Sequence, residues 1–149
     1  MRYAHHVPAA PSSPQLAGEL RAAVIMAARR IRAQRGAADL ADPQYSVLVH
    51  LDKRGPLTPG QLADAERVQP PTMTRTVNCL VERGLVAKAP HETDGRVVVV
   101  TITDAGRQEI AETRRRRTDW LAARLRAMTP EERAVLADAA QLLRGIAEA

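Results

Sequence analysis

Residues 57–85, LTPGQLADAERVQPPTMTRTVNCLVERGL, contain two helix signals separated by a short turn. Thr58 and Gln61 have the spacing of a capping box, in which each side chain bonds the backbone N–H of the other residue. A short helix is therefore predicted to begin at Thr58 and to end near Arg67.

The second signal is Pro70-Pro71, a pair that a helix tolerates only in its first turn. The helix that it opens is predicted to run from Thr72 to Arg83 and to end at Gly84, because glycine readily adopts the left-handed conformation that ends a helix. The apolar residues predicted to face inward are Met73, Val77, Leu80 and Val81.

The periodicity changes after Gly84, from helical spacing to β-rich runs. Residues 85–89 and 97–102 are predicted to form two strands, because they are rich in β-branched side chains. Residues 90–96 between them are polar and rich in turn formers, so the strands are predicted to form a hairpin with a long tip. A short helix, a turn, a second helix and a hairpin, in this order, indicate a winged helix-turn-helix.

Further helices are predicted on both sides of this unit, because a capping residue precedes proline or an apolar run at several points. The predicted starting points are Ser13-Pro14, Asp42-Pro43, Thr103 or Asp104, and Thr129-Pro130. The first of these helices is predicted to end at Gly36.

Two apolar stripes, on residues 16–31 and 120–146, extend beyond what a winged helix-turn-helix needs. A monomer would expose both stripes to water, so we expect them to be buried in an intertwined helical homodimer. The predicted divisions are a flexible arm (1–13) and a single domain (14–149) with dimerisation helices (14–36 and 104–149) and the winged helix-turn-helix (43–103).

The composition predicts a mainly α-helical fold, with the hairpin as its only β-structure. The chain has 149 residues, of which 45% are hydrophobic, but it contains no Phe, one Trp and two Tyr. Its core must therefore be built from Ala, Val, Leu and Ile, which suits close-packed helices better than a large sandwich. The length is sufficient for one domain with a genuine core.

The charge favours a nucleic-acid partner. The formal net charge is +5 and the isoelectric point is about 10.3, as expected where fixed positive charge meets phosphates. Lys53 and Lys88 are the only lysines among 22 basic residues, and the planar fork of arginine suits bidentate contacts with phosphate or guanine. An arginine-rich genome composition would produce the same excess.

Other classes of site lack support in the sequence. Cys79, the single cysteine, permits neither an internal disulfide nor a Cys-rich zinc site, and we expect it to be a small buried hydrophobic residue rather than a redox centre. The histidines lack metal-ligand spacing, and no nucleophile–base pair is present, so no metal, no cofactor and no enzyme activity are expected. A cytoplasmic location is expected, because the chain has no run long enough to span a membrane and residues 1–14 lack the apolar segment of a signal peptide.

Several segments, taken in order, resemble the multiple antibiotic resistance regulator (MarR) family. Residues 57–63 resemble the opening of its DNA-binding domain, and residues 72–77 and 80–86 resemble its recognition helix and the strand beyond. Asp94-Gly95-Arg96 resembles its wing signature, and residues 101–106 resemble the entry to its next helix. Each match alone is weak, but together their order and spacing are specific.

This resemblance implies a sequence-specific, DNA-binding transcriptional regulator whose second helix enters the major groove. The residues expected to contact DNA are Gln69, Pro71, Thr72, Thr74, Arg75, Asn78, Asp94 and Arg96. Arg, Thr and Asn on an outward helix face can read base edges or bind phosphates. Arg96 is expected to enter the minor groove or contact a phosphate, oriented by a charge-assisted bond from Asp94. Val97 stands where relatives often have a second arginine.

The resemblance also implies a homodimeric repressor on a pseudo-palindromic site in double-stranded DNA, released by a small aromatic or phenolic ligand. Tyr45, His50 and Arg54 lie on the helix that would border this ligand, although Tyr45 also fits a core position. The alternative is a winged-helix module that binds a protein without reading DNA. A neutral or acidic helix face would favour that alternative, whereas Arg75 argues against it.

Overall fold

A computed structural model describes residues 11–149, so the arm predicted for residues 1–13 lies mostly outside the described residues. The elements are α1 (Ser13–Arg32), α2 (Asp42–Arg54), α3 (Pro59–Glu66), α4 (Pro70–Glu82), β1 (Val86–Pro90), β2 (Val98–Ile102), α5 (Asp104–Arg126) and α6 (Pro130–Glu148). The chain divides into two compact units, one up to Ala33 and one from Gln34 onward. The first described unit is the helix α1, and the second contains every other element.

Among the helices of residues 11–149, all but α5 have a proline in the first turn. The predicted capping boxes of α3 and α6 are confirmed, with the side chains of Thr58 and Thr129 accepting from the N–H groups of Gln61 and Glu132. Of the two candidates at α5, the cap is Thr103, which accepts from the N–H of Gly106 at 3.1 Å.

The caps predicted for α1 and α2 are each one residue too late. Ser12 and Ala41 occupy the N-cap positions, while Ser13 and Asp42 lie inside the helices. Neither of the first two helical N–H groups has an intrahelical partner, so proline can stand second as well as first. Proline by itself therefore leaves the cap uncertain by one residue.

Gly36 does not end α1, which ends at Arg32. It lies in the following loop, where its N–H donates to Thr113 Oγ1 at 3.1 Å and where a Cβ would overlap the carboxylate of Glu109. The same buried carboxylate accepts from the N–H of Ala38 at 3.2 Å. A glycine is therefore needed here because α5 approaches the backbone closely, and not because a helix ends.

The two strands pair antiparallel, with Val86 opposite Ile102 and Pro90 opposite Val98. Each strand begins one residue later than predicted. Leu57 adds a bridge that the sequence did not reveal, because its N–H and C=O both bond Val100, at 3.1 and 2.7 Å. This bridge ties the turn before α3 to the hairpin.

The core lies where α2, α3, α4, the hairpin and the beginning of α5 meet. Its composition is as predicted, with aliphatic side chains and one methionine. The buried residues are Leu40, Val47, Leu48, Leu51, Leu57, Leu62, Ala63, Met73, Val77, Leu80, Leu85, Val86, Val100, Ile102 and Ile110. Val81, predicted to face inward, is instead 37% exposed, because Met73, Val77 and Leu80 already fill the face of α4 that meets the core.

Candidate nucleic-acid interface

The helix α4 has one buried and one exposed face. Met73, Val77 and Leu80 fix the helix to the core. The predicted contact residues of this helix are all exposed: Pro71, Thr72, Thr74, Arg75 and Asn78. The first turn contains no acidic residue, so the positive end of the helix dipole is not neutralised there.

Two threonine hydroxyls on α4 are already used within the helix. Thr74 Oγ1 donates to the carbonyl of Pro70 at 3.0 Å, and Thr76 Oγ1 donates to the carbonyl of Thr72 at 3.1 Å. Thr74 therefore has only hydroxyl lone pairs and its methyl group left for an external partner. The guanidinium of Arg75 has no hydrogen bond or ion pair within residues 11–149, so its donors remain available.

Asn78 is bound by a residue that sequence reasoning did not connect with it. Lys88 Nζ, on β1, donates to Asn78 Oδ1 at 2.6 Å, and both side chains are exposed. The contact joins the exposed face of α4 to the wing. The two residues lie ten positions apart in sequence, and no local pattern indicates that they meet.

Gln69 precedes α4 as its N-cap residue, and its side chain makes no capping bond. Its carbonyl accepts from the N–H groups of Thr72 and Met73 at 3.0 and 3.2 Å. The exposed Gln69 side chain does not cap the helix, as a serine would at this position, so its amide can bond an external partner.

The wing tip differs from the prediction in how Asp94 acts. Asp94 Oδ1 accepts from the backbone N–H of Arg96 at 3.1 Å, and the Asp94 carbonyl accepts from the N–H of Val97 at 3.0 Å. The predicted bond to the Arg96 guanidinium is not formed. A short carboxylate bonds most easily to the backbone two residues ahead, so Asp94 shapes the turn and leaves the exposed Arg96 side chain unpaired among residues 11–149.

The three ligand candidates on α2 have separate surroundings. The half-buried Tyr45 packs against the core and lies beneath Arg117, whose guanidinium carbon is 4.6 Å from the ring centroid. His50 Nε2 lies 2.7 Å from Glu66 Oε1, which also accepts from Ser46, so His50 joins α2 to α3. Arg54 is exposed at the end of α2.

A cleft of about 540 Å³ lies between α3 and the hairpin, lined by residues that include Thr58, Gln61, His91 and Thr101. None of the three ligand candidates on α2 lines this cleft. Their grouping around one ligand stays a prediction.

The arginine run of α5, residues 114–117, is more engaged than a simple solvated face. Arg116 and Arg117 donate to the carbonyls of Arg35 and Gln34, at 3.1 and 3.2 Å, and so hold the loop before α2. Hydrogen bonds from Arg116 and then Arg115 lower the pKa of the Glu112 carboxyl below its usual range. The sequence shows the run of charge but not these partners.

Cys79 is half-buried rather than fully buried, and its sulfur accepts from Gln44 Nε2 at 3.3 Å. It lies beside the core face of α4, so the prediction of a small buried side chain is only partly correct.

Two further properties concern residues 11–149 alone. None of their helices combines the length and the apolar character needed to cross a bilayer. They contain no group of three or more His, Cys, Asp or Glu side chains arranged to hold a metal ion.

A capped helix, a turn, a second helix with a polar outward face and a two-stranded wing together define a winged helix-turn-helix protein. The MarR family model matches residues 40–98. An uncharacterized HTH-type transcriptional regulator of Mycobacterium bovis is 39% identical over 132 residues, which cover 89% of this chain and 92% of the relative. The chain belongs to the MarR family of HTH-type transcriptional regulators.

Solved structures agree with this membership. A protein of Pseudomonas aeruginosa described as a transcriptional regulator superposes with a TM-score of 0.79 at 30% identity, covering 94% of this chain and 99% of that one. Rv1404 of Mycobacterium tuberculosis superposes with a TM-score of 0.76 at 27% identity, covering 93% and 97%. The predicted fold and family are confirmed, and the relatives are regulators rather than enzymes.

Proposed function

We propose that this chain is a repressor that binds a pseudo-palindromic operator as a homodimer and reads each half-site with α4. One observation carries the proposal: the apolar face of α4 is buried while Thr72, Arg75 and Asn78 are exposed on the same helix. The major groove of DNA admits a helix, and these side chains can bond base edges there. The net charge of +5 favours the approach to phosphates.

Selection of bound fragments from random DNA at fixed salt tests this function. We expect an inverted repeat whose half-sites are centred about 10–10.5 base pairs apart, one helical turn. Transcription from a promoter carrying the selected repeat should then fall when the protein is added in vitro. Selection that enriches no sequence would overturn DNA reading and favour the protein-interaction alternative.

The dimer is supported by apolar side chains that the described chain leaves uncovered. No residue of α6 is buried, and Val135, Leu142 and Ile146 are each about two-thirds exposed or more, at 66%, 70% and 68%. On α1, Val24, Ile25 and Met26 are also exposed. Exposed apolar side chains in such numbers on a helix indicate an interface with another chain, and two-fold symmetry is the commonest solution.

Sedimentation at micromolar concentration is expected to give a species of twice the 16.2 kDa chain mass. Leu142→Glu should shift the equilibrium toward the monomer, because a charge would be buried in the interface. Glu131→Gln, an exposed change in the first turn of α6, serves as the control. A wild-type protein that sediments only as a monomer would remove the dimer from the proposal.

The wing contact predicts an effect on the salt dependence of binding. Arg96 is exposed at the tip, and an arginine inserted in the minor groove contributes charge without reading much sequence. Arg96→Ala should weaken specific and non-specific binding by similar factors. It should also lower the slope of log affinity against log salt by about 0.9 for each phosphate-type interaction removed, or about 1.8 for a dimer.

Asp94→Ala should act in the same direction but less strongly, because Asp94 holds only the turn. Arg126→Ala, which removes the same charge from the exposed end of α5, is the matched control and should leave the slope unchanged. An unchanged slope in Arg96→Ala would show that the Arg96 charge at the wing tip does not contact DNA.

We further propose that a small aromatic or phenolic anion releases the DNA. The support is local: the Arg117 guanidinium lies over the half-buried Tyr45 ring, so a cation and an aromatic ring stand together on this surface. Such a ligand acts only if it prefers one arrangement of the two recognition helices over the other. The family resemblance suggests the chemical class of this ligand.

4-Hydroxybenzoate is a suitable probe, with cyclohexanecarboxylate as a control of equal charge and no aromatic ring. We expect millimolar 4-hydroxybenzoate to weaken operator binding by the wild type and to act less on Tyr45→Leu. Equal effects of both anions, or of the probe on both proteins, would contradict a site at Tyr45.

A further inference from the structure

The contact between Lys88 and Asn78 determines which end of the Asn78 amide is exposed on α4. Lys88 Nζ donates to Asn78 Oδ1 at 2.6 Å. An ammonium group has three donors and no acceptor, so only the oxygen of the Asn78 amide can face it. The amide nitrogen, with its two hydrogens, is therefore directed away from Lys88.

We propose that Lys88 determines base specificity by holding the Asn78 amide in this orientation, so that the pair presents N–H donors and selects guanine over adenine. The inference rests on the proposed function of α4 as the recognition helix. Guanine offers two acceptors in the major groove, N7 and O6, whereas adenine offers the N7 acceptor and the N6 donor. An unrestrained asparagine pairs with adenine through both its oxygen and its nitrogen, but here an ammonium takes one lone pair of that oxygen and places further donors beside it.

Two side chains near Asn78 on α4 also have a fixed set of hydrogen-bond donors and acceptors. Thr74, one helical turn before Asn78, has committed its hydroxyl hydrogen to the Pro70 carbonyl. Arg75 carries donors only. The exposed face of α4 thus offers donors at positions 75 and 78 and a lone pair with a methyl group at position 74.

A simpler role for Lys88 would be a contact with a DNA phosphate. The two roles have different signatures, because phosphate contacts carry no sequence information and contribute to the salt slope. A residue that orients Asn78 changes the base preference at one position of each half-site. Since both side chains are exposed, the contact adds little to folding, and Lys88 can be replaced without loss of the fold.

The test compares Lys88→Met with Lys53→Met, which removes the same charge from an exposed site in the last turn of α2. For each protein, affinity is measured for the selected operator and for duplexes in which each G·C pair is changed to A·T. In the wild type we expect guanine to be preferred over adenine by about tenfold at one position of each half-site. Lys88→Met should reduce this ratio to one or below, because a released Asn78 pairs with adenine, and Lys53→Met should preserve it.

Asn78→Asp provides an independent measurement, because a carboxylate keeps the partner of Lys88 but has no donor of its own. It should also abolish the guanine preference at the same position. Circular dichroism and the melting temperature establish that each variant is folded.

An unchanged base ratio in Lys88→Met, with a salt slope lowered by about 0.9 for each phosphate interaction removed, would make Lys88 a phosphate contact and overturn the inference. A guanine preference retained in Asn78→Asp would overturn it as well. Failure of the proposed function gives a different result: the wild-type protein would then bind the operator and every substituted duplex with equal affinity.

Discussion

Gly106→Ala is expected to lower the free energy of unfolding by about 3 kcal/mol, the upper end of the usual cost of overpacking a core. Gly106 is buried in the first turn of α5, where a Cβ would overlap the carbonyl oxygen of Leu85 and lie 2.7 Å from Ile102 Cγ1. A backbone oxygen cannot rotate away as a side chain can. The beginning of α5 would have to move away from the hairpin.

The measurement is thermal unfolding at fixed protein concentration, because association changes the apparent melting temperature. A loss of about 3 kcal/mol corresponds to a decrease of about 6–12 °C for a chain of this size. Gly60→Ala is the matched control, since the nearest atom to its Cβ would be Thr58 Oγ1 at 3.8 Å, an ordinary contact. Equal melting temperatures for the two variants would show that α5 does not approach the hairpin as closely as described.

Arg75→Ala is expected to reduce the discrimination between operator and random DNA by about 1–3 kcal/mol for each half-site. Arg75 is exposed on α4, and its guanidinium is uncommitted among residues 11–149. Its rigid fork matches the two acceptors of guanine in a fixed geometry that the flexible ammonium of lysine lacks. Arg75→Lys should therefore also lose discrimination, although it retains the charge.

Both variants are titrated with the selected operator and with a scrambled duplex at one salt concentration. Arg126→Ala controls for the loss of one positive charge outside the winged helix-turn-helix. If operator and scrambled DNA lose equal affinity in Arg75→Ala, Arg75 contacts a phosphate and not a base.

Some features of this protein follow from residues close together in the chain. Thr58 and Gln61 bond each other's backbone across three residues, so their spacing alone predicts where α3 begins. Gly84 has a φ of +70°, the left-handed conformation that its position after α4 predicts. The candidate residues Thr72, Arg75 and Asn78 are exposed as expected, because helical periodicity sets which face meets the core.

Other features depend on partners that are distant in sequence. Local signals predict Gly36 at the end of α1, but it lies against Glu109 and Thr113, the latter 77 residues away. Apolar periodicity predicts Val81 in the core, but the packing of α4 against its neighbours leaves it 37% exposed. In both cases the position of the residue is explained by an element that packs against it or beside it, and not by its neighbours in sequence.

The amino-acid sequence by itself therefore determined the order of the elements, their approximate ends and the face of α4 that is free to bind. Caps, turns and apolar periodicity act over three or four residues, so they can be read along the chain. Only the tertiary structure decided that Lys88 bonds Asn78. That partner is chosen by side-chain geometry after the hairpin has packed against α4, and no local pattern encodes the choice.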